Sequence, residues 1–215
     1  MRLKILILCL LAAIAPMTAG EHPKPAFGVT AAFELMVPSG ATSYFNTGTT
    51  FLLGGTVRVP IKNSFFFEPG LLFAYTAMDG KDAIPIDDSL YYGDAKEYGL
   101  RLPLKVGYAF QAGDNWIIEI YTGPWINFNL RARQTLDPNF SAPVPVPDKT
   151  INLMKHGWKR VDAMWGLALS ATFAKSYRIG LCAGAGITPL AKFGNRDRKI
   201  KVHRIAIGIS LGYIF

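Results

Sequence analysis

The sequence predicts an all-β protein: an eight-stranded antiparallel transmembrane β-barrel, preceded by a cleaved signal peptide. Three observations lead to this fold class. The chain is unusually apolar, with 50% hydrophobic residues, 13% aromatic residues and a mean hydropathy of +0.22, yet beyond its first residues it lacks the roughly 20-residue apolar run of a transmembrane helix. The apolar residues instead alternate with small or polar ones, as in β-strands. The connections between these alternating segments are long and short in turn.

The composition also excludes other classes of protein. A disordered chain would be polar and poor in aromatic residues, and two cysteines cannot form a disulfide framework. The length of 215 residues suits one domain behind a short leader. The formal charge of +8 is spread along an exported chain, so nucleic-acid binding is not expected.

Residues 1–20 have the features of a secretory signal peptide. Two basic residues precede an unbroken apolar stretch at residues 5–15, and the small residues at 18–20 suit a signal peptidase. We expect cleavage near Gly20, which leaves residues 21–215 as the barrel domain. An uncleaved N-terminal anchor is the alternative.

The first four predicted strands are residues 25–37, 49–59, 64–76 and 97–110. In each of them, bulky apolar side chains occupy one face, and small or polar side chains occupy the other. The charged residues on the second face are Glu34, Arg58, Glu68, Arg101 and Lys105.

The last four predicted strands are residues 116–130, 161–173, 176–190 and 201–215. They alternate in the same way, and the charged residues on their small or polar face are Glu119, Asp162, Arg178 and Arg204. Three prolines interrupt the predicted ladders, because proline cannot donate a backbone hydrogen bond: Pro69, Pro103 and Pro124.

The direction of the two faces distinguishes a membrane barrel from a soluble one. A transmembrane barrel turns its apolar face to lipid and its polar face to the lumen. Glycines and isolated charges on the second face suit a narrow, crowded interior, and closure avoids unpaired backbone groups in hydrocarbon. A water-soluble, lipocalin-like barrel is the alternative, with an apolar lumen and a polar exterior.

Eight strands enclose a space that side chains fill, so the inward charges predict an ion-paired interior. Four acidic residues face five basic ones, and buried charges are tolerated when paired. We expect Lys105 to lie opposite Glu119, and Arg204 to approach Glu34 when the last strand meets the first. A narrow polar channel is the alternative.

The aromatic residues predict two girdles at the membrane interfaces. Near the loop ends, the expected members are Tyr75, Tyr98, Phe128, Trp158 and Trp165. The long connections at 77–96 and 131–160 are predicted extracellular loops. The first is acidic and the second is basic with a proline-rich run, so lipopolysaccharide and a protein partner are both compatible with this surface.

Catalysis finds little support in the sequence. His156 falls in a predicted loop and His203 on an outward face, and no Ser-His-acid grouping has suitable spacing. Cys182 lies between glycines on the inward face and is expected to serve as a small packing residue. No catalytic residue, metal site or cofactor is expected.

Several segments resemble outer-membrane β-barrel proteins of Bacteroidetes-type bacteria, called PorT-like or porin-family proteins. The resemblance is carried by FFFEPGLLFAY, YGLRLPLKVGYAF, EIYTGPWINFNL and the closing IAIGISLGYIF. It implies an eight-stranded outer-membrane barrel, a role in secretion or at the surface in some members, and no single activity. The terminal pattern of Leu211, Tyr213 and Phe215 is similar to the signal that the barrel-assembly machinery reads.

Three functional hypotheses remain from the sequence. The favoured one is a non-enzymatic barrel with a role in envelope structure, surface interaction or a secretion assembly. The alternatives are a porin-like channel for small solutes and, less favoured, a lipid-modifying enzyme of the outer membrane with its site at the outer rim.

Overall fold

The computed structural model describes residues 24–40, 45–62, 64–81, 84–86, 89–136, 150–193 and 200–215. The predicted signal peptide lies outside these residues. Within them, no helix is long and apolar enough to cross a membrane.

Eight long antiparallel strands form the wall of a closed barrel, as the alternating pattern predicts. Each pairs with the next along the chain, and the last pairs with the first from Gly28 opposite Ile214 to Gly40 opposite Val202. The predicted eight-stranded antiparallel barrel is therefore confirmed. The wall strands are β1 (Ala26–Gly40), β2 (Gly48–Lys62), β3 (Phe65–Met78), β6 (Gly93–Gln111), β7 (Trp116–Leu136), β9 (Val161–Phe173), β10 (Tyr177–Gly186) and β12 (Ile200–Ile214).

Short elements lie at the loop end of the wall. The strands β4 (Ile84–Ile86) and β5 (Ser89–Tyr91) form a separate hairpin, whereas β8 (Thr150–Asn152) pairs with β7 and β11 (Ala191–Phe193) pairs with β12. A 3-10 turn at Leu153–Lys155 follows β8. The opposite end carries the tight turns, the start of β1 and the end of β12.

The wall separates two surfaces of different chemistry. Outward side chains such as Leu53, Leu71 and Ile207 are large, apolar and about half exposed or more, as expected for residues that face lipid. Inward side chains alternate with them and are mostly buried; many are small, polar or charged, and large apolar ones such as Phe66 and Trp125 pack among these. Many of the apolar residues of the chain therefore lie on the outside of the barrel.

Proline interrupts the ladders on three successive strands. Between β6 and β7 the pairs run to Pro103 opposite Trp125 and resume at Val106 opposite Thr122. The β3–β6 ladder likewise runs to Pro69 opposite Leu104 and resumes three residues further along β3, at Leu72 opposite Arg101. The missing donors explain these gaps.

Candidate functional site: the barrel interior and its outer mouth

Ten charged side chains of the described residues pair with one another inside the barrel. The nine residues singled out from the sequence all point inward, and the structure adds Glu97, which sequence reasoning missed. With Glu97 included, five acidic residues face five basic ones, so the paired set carries no net formal charge. The ten residues form a lower cluster near the short turns, a middle pair and an upper cluster near the loops.

The lower cluster joins two carboxylates to three bases. Glu68 lies 2.9 Å from Arg178, 3.1 Å from Lys105 and 3.3 Å from Arg58. Glu119 bonds to Arg58, lies 3.2 Å from Arg178 and accepts a hydrogen bond from a serine hydroxyl. Each carboxylate therefore satisfies several donors at once, which buried charges require.

The expected pairing of Lys105 with Glu119 is wrong. The hairpin between β6 and β7 places Glu119 opposite Ala109, and Glu68 lies opposite Lys105 on the other neighbouring strand. Lys105 therefore donates to Glu68, and its ammonium also lies 4.7 Å from the centre of the Tyr121 ring.

The middle layer holds one bidentate ion pair. Arg101 Nη1 donates to both carboxylate oxygens of Glu34, at 2.6 and 2.8 Å, and Arg101 Nε donates to Asn127 at 2.9 Å. The expected approach of Arg204 to Glu34 is wrong, because the β1–β12 register places Glu34 opposite Gly208. The thiol of Cys182 lies 3.8 Å from Glu34.

The upper cluster is acidic and is held together by one base. Arg204 Nη2 donates to Glu97 at 2.6 Å, and Arg204 Nε donates to Asp162 at 3.2 Å. The amides of Asn127 and Asn129 each donate to Asp162 at 2.8 Å. The polar groups of this layer are buried and satisfy one another.

An apolar plug closes the barrel above this upper cluster. Loop side chains pack there against inward side chains of the wall, and all of them are buried. The plug consists of Met36, Phe45, Met78, Ala95, Ala132, Ile151, Leu153, Trp158, Leu190, Ala191, Phe193 and Val202. Trp158 was expected in the outer girdle, which is wrong: its ring packs between Phe45 and Phe193, and its indole N–H donates to Glu97 at 2.6 Å.

Little free space remains between these layers. An internal cavity of about 40 Å³ lies beside Arg101, Lys105, Tyr121 and Trp125. Such a volume has room for only a few water molecules. The described residues therefore fill the lumen at several successive levels.

The predicted loop boundaries need correction. β6 begins at Gly93 and β7 continues to Leu136, so the ends of the expected loops 77–96 and 131–160 belong to the wall. The proline-rich run of the second loop lies outside the described residues. The surface predicted to contact lipopolysaccharide or a protein partner therefore consists of shorter loops and of strand ends that extend beyond the predicted strands.

The described residues do not assemble a recognisable catalytic centre. Ser39 lies opposite His203 across the β1–β12 ladder, and His203 Nδ1 is 3.3 Å from the carbonyl of Gly186. Among the described residues, Ser39 makes no hydrogen bond to this imidazole, and no group of three or more His, Cys, Asp or Glu side chains could hold a metal ion. His156 lies in a turn beside the plug.

The last strand presents its aromatic end to the outside. Leu211, Tyr213 and Phe215 point outward, and Phe215 is 77% exposed. The Tyr213 ring lies 5.2 Å from that of Phe215 and 5.3 Å from that of Tyr177. These rings lie at the short-turn end of the barrel, at a height typical of an aromatic girdle.

A closed eight-stranded barrel with an apolar exterior and a polar, filled interior defines an integral β-barrel protein of the bacterial outer membrane. The comparison with family models agrees: residues 24–189 match the family described as outer membrane protein beta-barrel domain, and the chain belongs to this family. Among curated proteins, no sequence is similar enough to count as a match.

Solved structures with the same fold are distant in sequence. Neisserial surface protein A, from Neisseria, is 15% identical with a TM-score of 0.50, and the similarity covers 90% of this chain and 100% of that one. The outer membrane protein OprG from Pseudomonas aeruginosa is 14% identical with a TM-score of 0.48, over 90% and 97% of the two chains. At this level of identity the likeness to Neisserial surface protein A concerns the fold alone.

Proposed function

We propose that this protein is a non-conducting, non-enzymatic barrel that acts through its outer surface, in envelope structure, surface interaction or a secretion assembly. The observation that carries the proposal is the filled lumen. Two ion-paired clusters and a bidentate pair lie below an apolar plug, and every layer uses side chains from several strands or loops.

The electrostatics of the interior support this proposal over a porin-like channel. A channel for charged solutes needs charges that exchange partners with the solute. Here the five acidic and five basic side chains are already paired with one another at 2.6–3.3 Å or closer. Opening a path would separate buried pairs, which costs several kcal/mol for each pair.

Conductance in planar bilayers tests the proposal directly. The refolded mature chain is expected to give no large, stable open currents at moderate potentials. Heat-modifiable migration on gels establishes in the same sample that the barrel is folded. Stable currents from a heat-modifiable sample would favour the small-solute channel and refute the sealed lumen.

The finer family assignment, PorT-like and of the Bacteroidetes type, belongs to the same proposal, as do the two targeting signals. Residues 1–20 are proposed to be removed on export, and the barrel-assembly machinery is proposed to read Leu211, Tyr213 and Phe215. Mass spectrometry of the protein from outer membranes tests the first, with a mature N-terminus near residue 21 expected. Deletion of Phe215 tests the second and is expected to reduce assembly.

The loop surface is the proposed place of contact with lipopolysaccharide or a protein partner. Crosslinking in intact cells, from residues of the connections at 79–92 and 150–160, is expected to recover such a partner. Recovery of only inner-face or periplasmic proteins would argue against an outer-surface role.

A rim-located lipid-modifying enzyme is the second candidate, and the placement of Ser39 opposite His203 is the observation that favours it. Alanine substitution at His156 and at His203, followed by mass analysis of lipid A, separates the two functions. The non-enzymatic proposal expects an unchanged lipid pattern, whereas a changed pattern would favour the enzyme.

A further inference from the structure

Two pairs of like charges lie directly opposite each other at the loop end of the wall. Lys96 of β6 is opposite Arg133 of β7, and Lys192 of β11 is opposite Lys201 of β12. All four side chains are exposed, and the described side chains next to them, such as Ala95, Ala132 and Val202, are buried. Like charges directly opposite across a ladder destabilise a sheet, so their repetition indicates a compensating anion.

No carboxylate of the described residues pairs with these bases. Within the described part of the chain, none of the four bases forms an ion pair. Asp94 shares the outward face of β6 with Lys96 and accepts a hydrogen bond from the backbone of Gly80 at 3.1 Å, but it forms no ion pair with Lys96 or Arg133. Arg131, exposed beside a bulge in β7, adds a further positive charge next to the first pair.

Both pairs lie at the same height above the short-turn girdle. Lys96 is twelve residues from Tyr108 along β6, and Lys201 is twelve residues from Tyr213 along β12. At about 3.3 Å per residue and a strand tilt of about 40°, this corresponds to about 30 Å along the membrane normal. The apolar band of an outer-membrane barrel is about 25 Å tall, so both pairs lie in the outer headgroup layer.

We propose that each pair binds a phosphate group of lipopolysaccharide, on the phosphorylated glucosamine headgroup of lipid A. This inference rests on the proposed function for its orientation, with the loops outward. The two pairs are separated around the wall by β9 and β10 on one side and by β1, β2 and β3 on the other. Lipids that surround the barrel reach both pairs, whereas one small soluble anion does not span them.

Binding of purified lipid A to the full mature barrel in detergent micelles tests the proposal. The test variants are Lys96→Gln/Arg133→Gln and Lys192→Gln/Lys201→Gln. The matched control is Lys62→Gln/Lys175→Gln, which removes two exposed charges from the short-turn end. Each test variant is expected to weaken binding at its own site by about fivefold per charge, or about 25-fold per pair. The control is expected to stay within about twofold, because its charges lie several Debye lengths away.

A second arm identifies the part of the lipid that is recognised. Bisphosphorylated lipid A is expected to bind tightly, monophosphorylated lipid A more weakly, and phosphatidylglycerol most weakly. Equal binding of all three lipids would overturn the proposal in favour of general attraction to anionic lipid. Unchanged affinity in both test variants, or an equal loss in the control, would also overturn it.

The failure of this inference is distinguishable from the failure of the proposed function. A heat-modifiable, non-conducting barrel whose test variants bind lipid A like the wild type refutes the lipid site alone. A conducting barrel that loses lipid A in the test variants refutes the sealed lumen alone. The substituted side chains are exposed, so each variant is expected to fold. Heat-modifiable migration on gels checks this for each variant, so that misfolding is not mistaken for loss of binding.

Discussion

The indole N–H of Trp158 donates a 2.6 Å hydrogen bond to Glu97, and this bond joins a loop to the wall of the barrel. Trp158 belongs to the apolar plug, whereas Glu97 belongs to the upper ion-paired cluster through Arg204. The plug and the cluster below it are therefore coupled: a shift of the loop that carries Trp158 leaves a buried carboxylate oxygen without its donor.

Replacing Trp158 with phenylalanine tests this coupling. Phenylalanine keeps an aromatic ring between Phe45 and Phe193 but removes the N–H that serves Glu97. Because hydrogen bonds to charged groups contribute about 1.5–3 kcal/mol, we expect the free energy of unfolding to fall by about 2 kcal/mol. Urea unfolding of the barrel in lipid vesicles provides the measurement.

Trp165→Phe is the matched control for that variant. The Trp165 indole donates to Thr122 at 2.9 Å on the lipid-facing surface, where its partner is neutral and the ring is about half exposed. We expect a loss below about 1 kcal/mol. Equal losses in the two variants would contradict a special role for the bond to Glu97.

The middle ion pair offers a double-mutant cycle. Glu34→Gln leaves the buried guanidinium of Arg101 without its carboxylate, and breaking one side of a buried pair costs about 3–5 kcal/mol. The double variant Glu34→Gln/Arg101→Met removes both charges and is expected to recover most of this loss. Unfolding free energies of the two single variants, the double variant and the wild type give the coupling.

The cycle has a clear negative outcome. If the double variant is as unstable as the sum of the two single ones, then Glu34 and Arg101 act independently. The 2.6 and 2.8 Å bonds between them would then contribute nothing through their pairing. The simplest ion pair of the interior would then not stabilise the barrel through its pairing.

The wall of the barrel was predictable from sequence because its signal is local. In strands that cross hydrocarbon, every second side chain faces lipid, so apolar and polar residues alternate visibly. The ends of β6 and β7 project beyond the apolar band, where outward positions are Lys96, Arg131 and Arg133. Outward positions are charged there, so the contrast between the two faces weakens beyond Tyr98. Glu97, at the very end of the predicted strand 97–110, was therefore left out of the predicted inward charges.

The partners inside the lumen were not predictable in the same way. Which strand supplies the partner of Lys105 depends on the stagger of two neighbouring ladders, and a shift of a few residues changes the answer. The plug residues Phe45 and Leu153 come from connections outside the predicted strands, and Leu190 lies beyond the end of β10 although the predicted strand extends to it. Their inward position depends on how the loops fold back, which the alternation of the strands does not encode.

Glycine at position 166 is required by the packing of Trp125. A side-chain carbon at Gly166 would overlap the indole, and one at Gly184 would lie 2.6 Å from the same ring. Gly166→Ala is therefore expected to displace Trp125 from its stacking distance of 5.1 Å to Arg101 and to lower the free energy of unfolding by about 1–3 kcal/mol. Tryptophan fluorescence and urea unfolding give the two readouts.

Gly55→Ala is the control for Gly166→Ala, since both restrict the unfolded chain equally. The nearest atom to a new side chain at Gly55 is a carbonyl oxygen 3.8 Å away, an ordinary contact. The free energy of unfolding of Gly55→Ala is expected to differ from that of the wild type by less than about 0.5 kcal/mol. A comparable loss at Gly55 would mean that backbone effects, and not the indole of Trp125, determine the result at Gly166.

Cys182 reports whether water reaches the lumen. It is the only cysteine outside the predicted leader, it points inward, and it packs beside Phe66, Trp125 and Met164. A charged methanethiosulfonate reagent is expected to modify it only when the barrel opens, whereas Cys182→Ala/Thr150→Cys places a thiol at an exposed position of the rim. If opening costs about 3 kcal/mol or more, Cys182 reacts at least about 100-fold more slowly than the rim thiol.

The labelling rate of the Cys182 thiol also distinguishes a sealed lumen from a conducting channel. In a sealed barrel, urea that unfolds the protein raises the rate for Cys182 to that of the rim thiol, and Phe45→Ala/Trp158→Ala raises it much less. The reason is that the upper ion-paired cluster and Trp125 still lie between the mouth and the thiol once the plug is reduced. Rapid labelling of Cys182 in the folded wild type would instead require a continuous aqueous path, and the channel would then be the better account.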